Sequence, residues 1–200
     1  IKKLVETNKP TVGIAQIEGQ TSQFQNIQNL LGQRYTVQPV NLSEAIPSEI
    51  TAILMGGVSD SLSIEAHTNL SDYLERGGNL LLAQGRIKTN LQVQQAFPIQ
   101  SNIFDLIGDY GFSIEPNLVI DKICGRVNVQ QQMGPIRMNV PMEYPLLPVI
   151  RSFNKNEAIV AGLEQIQLIF ASEIKQDSSS MGNINFVPLL FTSNQSGEMR

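Results

Sequence analysis

The chain has 200 residues, 42% hydrophobic and 16% charged, with a formal net charge of −4. That length allows one large domain or two small ones, with a real core. The acidic balance supplies no basic face to neutralise phosphates and argues against a nucleic-acid partner, and a single cysteine, Cys124, excludes an intramolecular disulfide.

The first half alternates strands and helices. "TVGIAQI" (Thr11 to Ile17) is a continuous apolar run of the kind that parallel sheets bury on both faces. A helix follows in "SQFQNIQNLLG", where Phe24, Ile27, Leu30 and Leu31 share one face, Thr21 or Ser22 caps the start and Gly32 stops the end. "RYTVQPV" is a short strand ending near Pro39, and "ITAILMGG" (Ile50 to Gly57) is a strongly apolar third strand. Ser63 caps the next helix, Glu65 suits its first turn, and Ala66, Leu70, Tyr73 and Leu74 form its apolar face. Gly77 is the expected C′ residue at positive φ. "NLLLAQ" is then a fourth strand, and Leu54, Met55, Leu81 and Leu82 are expected in the core of adjacent parallel strands. Short connections between these elements imply an open, mainly parallel sheet flanked by helices.

The second half carries weaker signals and is expected to be β-rich. Asn102 to Tyr110 forms a short helix ended by Gly111, and "FSI" and "NLVID" read as strands around Pro116. From Cys124 to Ile150 the chain is rich in Gln, Pro and Met without a clear period, and is expected as loop or irregular β structure. "IQLIFASEI" and "FVPLLFTS" read as two more strands separated by "KQDSSSMGN". We expect one α/β domain over 1–200, divisible into an α/β core at 1–100 and an irregular α+β part at 101–200. No apolar run approaches the ~20 residues that span a bilayer. The chain starts at Ile1 without Met and ends in "TSNQSGEMR" after a strand-like run, so a fragment of a longer protein is expected.

Candidate chemistry clusters at strand ends. Open α/β sheets bind ligands beyond the carboxyl ends of their strands. Gly56, Gly57 and Ser59 follow the third strand there, and Gln84, Gly85 and Arg86 follow the fourth. The paired glycines would let a ligand approach the backbone, and a tight turn needing positive φ would call for the same residues. The fingerprint G-x-G-x-x-G and a phosphate loop ending in Gly-Lys-Ser/Thr are both absent. Hydrolases place Ser within G-x-S-x-G after such a strand, and amidotransferase-like folds place Cys there. Here stands Gln84, an amide that cannot attack a carbonyl.

Other polar residues point to structure. Cys124 and His67 are the only residues of their kinds, and a surface-flank histidine with a small buried thiol explains them without a catalytic dyad. One Cys and one His do not supply a zinc site without paired carboxylates. Asp105 and Asp109 lie at i, i+4 on a solvated helix face, with Glu115 and Asp121 nearby. "QVQQ" (Gln92 to Gln95) and "VQQQMGP" (Val129 to Pro135) read as exposed loops, with recognition as the functional option.

An ordered set of stretches carries a resemblance: "VGIAQIEGQTSQF", "RYTVQPVNLSEAIPSEITAILMGG", "LSIEAHTNLSDYLERGGNLLLAQGRI", "LIGDYGFSIEPNLVID" with Cys124 shortly after, and "YPLLPVI" through "VPLLFTSNQS". In order and spacing the chain resembles the extracytoplasmic region of the GldG family, gliding-motility-associated auxiliary or substrate-binding components of ABC-type transport systems. The resemblance implies a fold similar to the class I amidotransferase-like or flavodoxin-like sheet without the catalytic cysteine. It also implies a periplasmic domain anchored to the inner membrane by segments outside this chain, with membrane ABC transporter subunits as partners. Glu18-Gly19-Gln20-Thr21 departs from the family's usual "EGxGE" after the first strand.

The function expected is a non-catalytic extracytoplasmic interaction domain, without cofactor or metal. The alternative is a small-solute or glycan binding module using Gly56, Gly57, Ser59, Gln84, Gly85 and Arg86. A third option is an unusual hydrolase using Cys124.

Overall fold

A computed structural model describes residues 9–17, 24–90, 93, 95–133, 136–177 and 184–200. The chain divides into two compact units, Ile1–Gln84 with Gln100–Leu106, and Gly85–Ile99 with Ile107–Arg200. It is mixed α/β with a parallel sheet.

The first unit holds β1 (Thr11–Gln16), α1 (Gln25–Leu31), β2 (Thr36–Asn41), β3 (Ile50–Gly56), α2 (Ile64–Glu75) and β4 (Asn79–Ala83). All its pairings are parallel and the strand order is β2-β1-β3-β4. The order reverses between β1 and β3, which makes their carboxyl ends the topological switch point. Central β3 buries Ile53, Leu54 and Met55, while Pro39 sits on edge strand β2, where a missing N–H is tolerated. Ser63 caps α2 by accepting from Ala66 N at 3.1 Å, and Ala66, Leu70 and Tyr73 bury one helix face. The Tyr73 hydroxyl accepts from Asn79 N at 3.2 Å, tying the helix end to the start of β4. Gly77 ends this helix at φ 87°, as its place in the sequence requires.

Two expectations fail in this unit. Leu81 is 67% exposed and no core residue, because β4 is the edge of the sheet and alternates in burial along its length. The apolar face of α1 is not buried: Ile27 and Leu30 are exposed and no residue of the helix is buried. A 3.6 period marks which residues share a face, not whether anything covers it. The caps expected at Thr21 or Ser22 lie outside the described residues, as do Glu18, Gly19 and Gln20.

Helix α3 (Ile103–Asp109) spans the division at Leu106 and buries Ile103, Phe104, Leu106 and Ile107, with Asp105 and Asp109 exposed. The second unit also contains β5 (Ile87–Asn90), β6 (Gln95–Pro98), β7 (Phe112–Ile114), β8 (Leu118–Asp121), β9 (Cys124–Met133), β10 (Ile136–Ile150), β11 (Ser152–Phe153), β12 (Ile166–Gln167), β13 (Ile174–Gln176), β14 (Leu190–Phe191) and β15 (Ser196–Met199). Its pairings are antiparallel: β5 with β6, β7 with β13, β8 with β15, β11 with β14, and a three-stranded β12-β10-β9.

Of the two readings for Cys124 to Ile150, the irregular β structure holds: β9 and β10 pair antiparallel, with a register shift between Glu143 and Pro148. "VQQQMGP" runs along β9 into residues outside the described set, and Gln95 of "QVQQ" opens β6. "IQLIFASEI" does not form one strand. It divides into β12 and β13 around Phe170, which stands at φ 50°. Of "FVPLLFTS" only Leu190–Phe191 pairs.

Candidate functional site

The residues singled out at the strand ends are engaged in holding the chain. Gly56, the last residue of β3, is packed so closely that a Cβ there would lie 2.3 Å from the Ala83 carbonyl oxygen. Gly57 follows at φ 72°, a left-handed conformation that favours glycine. Close strand contact and turn geometry therefore account for the glycine pair. Ser59 is half-buried and donates to the Asp60 carboxylate at 3.0 Å.

Gln84 ends the first unit. Its Oε1 accepts from Val58 N at 2.7 Å and its Nε2 donates to Val58 O at 3.0 Å. The carboxamide thus imitates a strand neighbour for the loop after β3. Asn102 does the same for Leu62, accepting from its N at 2.8 Å and donating to its O at 3.0 Å. Two side-chain amides therefore fix the loop between β3 and α2.

Gly85 and Arg86 open the second unit. Arg86 N donates to Ser172 Oγ at 3.0 Å and the guanidinium donates to Ile114 O at 2.9 Å. Phe170 packs edge-on against Tyr144 with ring centroids 6.3 Å apart. The left-handed φ of Phe170 is costly for a bulky residue and is held by its backbone bond to Leu146 O at 3.1 Å.

His67 stands half-buried on α2 of the first unit, and Cys124 half-buried at the start of β9 in the second. Among the described residues no group of three or more His, Cys, Asp and Glu could hold a metal ion.

Sequence reasoning missed the buried polar centre of the second unit. Asn117 and Asp121, at the two ends of "NLVID", are 1% and 2% exposed. Asp121 accepts from Ile123 N at 2.8 Å, Ser193 N at 2.8 Å and Ser193 Oγ at 2.6 Å. Burial alone would raise its pKa, but these three donors outweigh it and hold the carboxyl below its ordinary value. Asn117 accepts from Glu173 N at 3.1 Å and donates to the carboxylates of Glu173 and Glu198. Lys175 lies 3.2 Å from Glu173 and 3.8 Å from Glu115, and its partner Glu173 first of all raises its pKa. The amide of Asn117 in turn lowers the pKa of Glu198. One signal was legible: positions 117, 119 and 121 share a strand face, so two polar residues flank Val119 on it.

The arrangement clasps strands together. Asp121 fixes the turn before β15 through Ser193, and Asn117 joins β8 to the segment carrying Glu173.

Residues 9–200 match the family described as ABC-type uncharacterized transport system. The chain belongs to this family. The family is one of auxiliary components of ABC-type transport systems. The chain is also 19% identical, over 210 residues, to an uncharacterized protein of Borreliella burgdorferi, a match covering 100% of this chain and 40% of that protein. It thus spans well under half the length of that curated relative. Among solved structures it is similar to the mmIFT52 N-terminal domain, with a TM-score of 0.62, 15% identity, and coverage of 92% of this chain and 74% of that one. That likeness is one of fold. Among the described residues, no helix is long and apolar enough to cross a membrane.

Proposed function

We propose that the chain is a non-catalytic, extracytoplasmic interaction domain of a GldG-like auxiliary protein in an ABC-type transport system. On this reading it lies in the periplasm, tethered to the inner membrane by segments outside this chain, and contacts transporter subunits. The observation that carries it is the pair of hydrogen bonds between the Gln84 carboxamide and the Val58 backbone. In an amidotransferase-like sheet, the fold type we assign to the first unit, the turn after this strand holds the nucleophile. Here it holds an amide that shapes the neighbouring loop. The strand order β2-β1-β3-β4 supports that assignment, since it is the beginning of the flavodoxin-like order. The solute- or glycan-binding alternative draws less support, because Gln84 and Arg86, the planar groups it needs, already hold backbone.

The test is complementation by Cys124→Ser in the full-length protein, alongside alkylation of the wild-type thiol. The expected result is full complementation with alkylation at the rate of a free thiol. Failed complementation by a folded variant, with much faster alkylation at neutral pH, would restore a thiol enzyme.

A further inference from the structure

The β9–β10 hairpin has an outer edge along β9 to which no strand among the described residues pairs, and an apolar face that is partly exposed. Residues alternate strictly along it. Val127 and Val129 pair with Met142 and Val140, and Gln131 with Met138, on one face. Arg126, Asn128 and Gln130 pair with Glu143, Pro141 and Asn139 on the other. Such alternation belongs to sheets with one covered face; here Val127 and Val140 are half-buried while Val129, Met138 and Met142 are exposed. A two-stranded ribbon exposed on both sides is marginal in water by itself.

The two edges of the ribbon differ. Proline has no N–H, so the pair Asn128–Pro141 is of the kind that aims its backbone groups away from each other. Alternation then turns the backbone groups of Arg126, Asn128 and Gln130 to the outer edge of β9. On β10 the outward set is Arg137, Asn139, Pro141 and Glu143, with Pro145 two residues on. Charges and prolines are the residues that protect an edge from pairing. The outer edge of β9 carries one charge and no proline, and β9 is the terminal strand of its sheet.

We propose that β9 is the seam of a homodimer, in which two copies pair antiparallel through their outer edges about a two-fold axis at Asn128. The sequence there is self-complementary. An antiparallel register centred on Asn128 sets Val127 against Val129 of the second copy on the apolar face. It sets Asn128 against Asn128, and Arg126 against Gln130, on the polar face. The offset of four residues keeps the two Arg126 side chains about 13 Å apart along the strand, beyond a Debye length of about 8 Å. Each Arg126 also has Glu143 at 3.7 Å in its own copy. The seam therefore opposes no like charges, as a two-fold contact requires. The proposal stands apart from the transport reading, since it uses no feature of the first unit.

Two measurements test it. In sedimentation velocity over a concentration series the chain is expected to dimerise, and Asn128→Pro is expected to make it monomeric. That substitution removes an outward N–H and leaves the β9–β10 ladder its bonds. In a Cys124→Ser background, Asn128→Cys is expected to form a disulfide-linked dimer on mild oxidation, since directly paired strands hold Cα atoms about 5.5 Å apart, within the disulfide range. A wild-type chain that stays monomeric throughout, with no cross-link at position 128, overturns the proposal. So does a dimer that survives Asn128→Pro but is lost on Met138→Gln with Met142→Gln, because it would pack through the apolar face instead.

Discussion

The carboxamide of Gln84 holds both backbone groups of Val58, its oxygen at 2.7 Å from the N–H and its nitrogen at 3.0 Å from the carbonyl. Val58 is 1% exposed, so water has little access to replace that amide. Gln84→Leu is expected to destabilise the fold by about 1–3 kcal/mol for each group left without its partner. Gln84→Glu keeps the acceptor and sets a carboxylate oxygen against the Val58 carbonyl. Its loss of stability at neutral pH is expected to shrink in acid, where the protonated carboxyl donates again. Urea midpoints of both variants at two pH values check this. Wild-type stability in Gln84→Leu would show that the pairing contributes nothing.

Gly56 and Gly77 are glycines for different reasons, and substitution separates them. At Gly56 a Cβ meets the Ala83 carbonyl oxygen at 2.3 Å, whereas at Gly77 nothing lies within 4 Å and φ is 87°. Gly56→Ala is expected to cost about 1–3 kcal/mol through strand displacement. Gly77→Ala is expected to cost about 1–2 kcal/mol through backbone strain. Asn tolerates the left-handed region, so Gly77→Asn should recover part of that loss, while Gly56→Asn should not recover any. Equal rescue at both positions in chemical denaturation would contradict the distinction.

Asp121 gives the second unit an acid-sensitive clasp. Its carboxyl is held below its ordinary value, with burial opposing and the Ser193 and Ile123 donors prevailing. A depressed folded pKa contributes stability that is present above the unfolded value, about 3.9, and is lost as pH falls through the folded value. Stability is therefore expected to fall in acid below about pH 4, and Asp121→Asn to flatten that limb. The same substitution should cost about 1.5–3 kcal/mol at pH 7, the range for hydrogen bonds to a charged group. Lys175 acts oppositely: its raised pKa contributes stability below the unfolded value that is lost as pH rises through the folded one. Thermal midpoints across pH for wild type and Asp121→Asn measure both limbs.

The parallel half was legible because buried strands read as unbroken apolar runs, as in Ile53 to Met55. Leu81 broke the rule, since "NLLLA" looks the same on an edge as in a centre, and only the strand order tells them apart. Leu81→Ala is accordingly expected to change stability by less than about 1 kcal/mol, while Met55→Ala should cost about 2–5 kcal/mol. The β9–β10 pair reads in the sequence only as loop or irregular β structure, because Pro141 and Pro145 look like strand breakers. The alternation of Val127, Val129, Met138, Val140 and Met142 was nevertheless present. At the candidate site the amide of Gln84 was legible, but its partner was not. Val58 lies 26 positions away, and nothing in the sequence pairs an amide with a particular backbone.

Cross-linked capture of the full-length protein from native membranes, with quantitative identification of what accompanies it, tests the proposed interaction role most directly. The account predicts stoichiometric recovery of the membrane-spanning and nucleotide-binding subunits of one ABC transporter, retained in the Cys124→Ser variant. Recovery of the protein in membranes without any transporter subunit would contradict it.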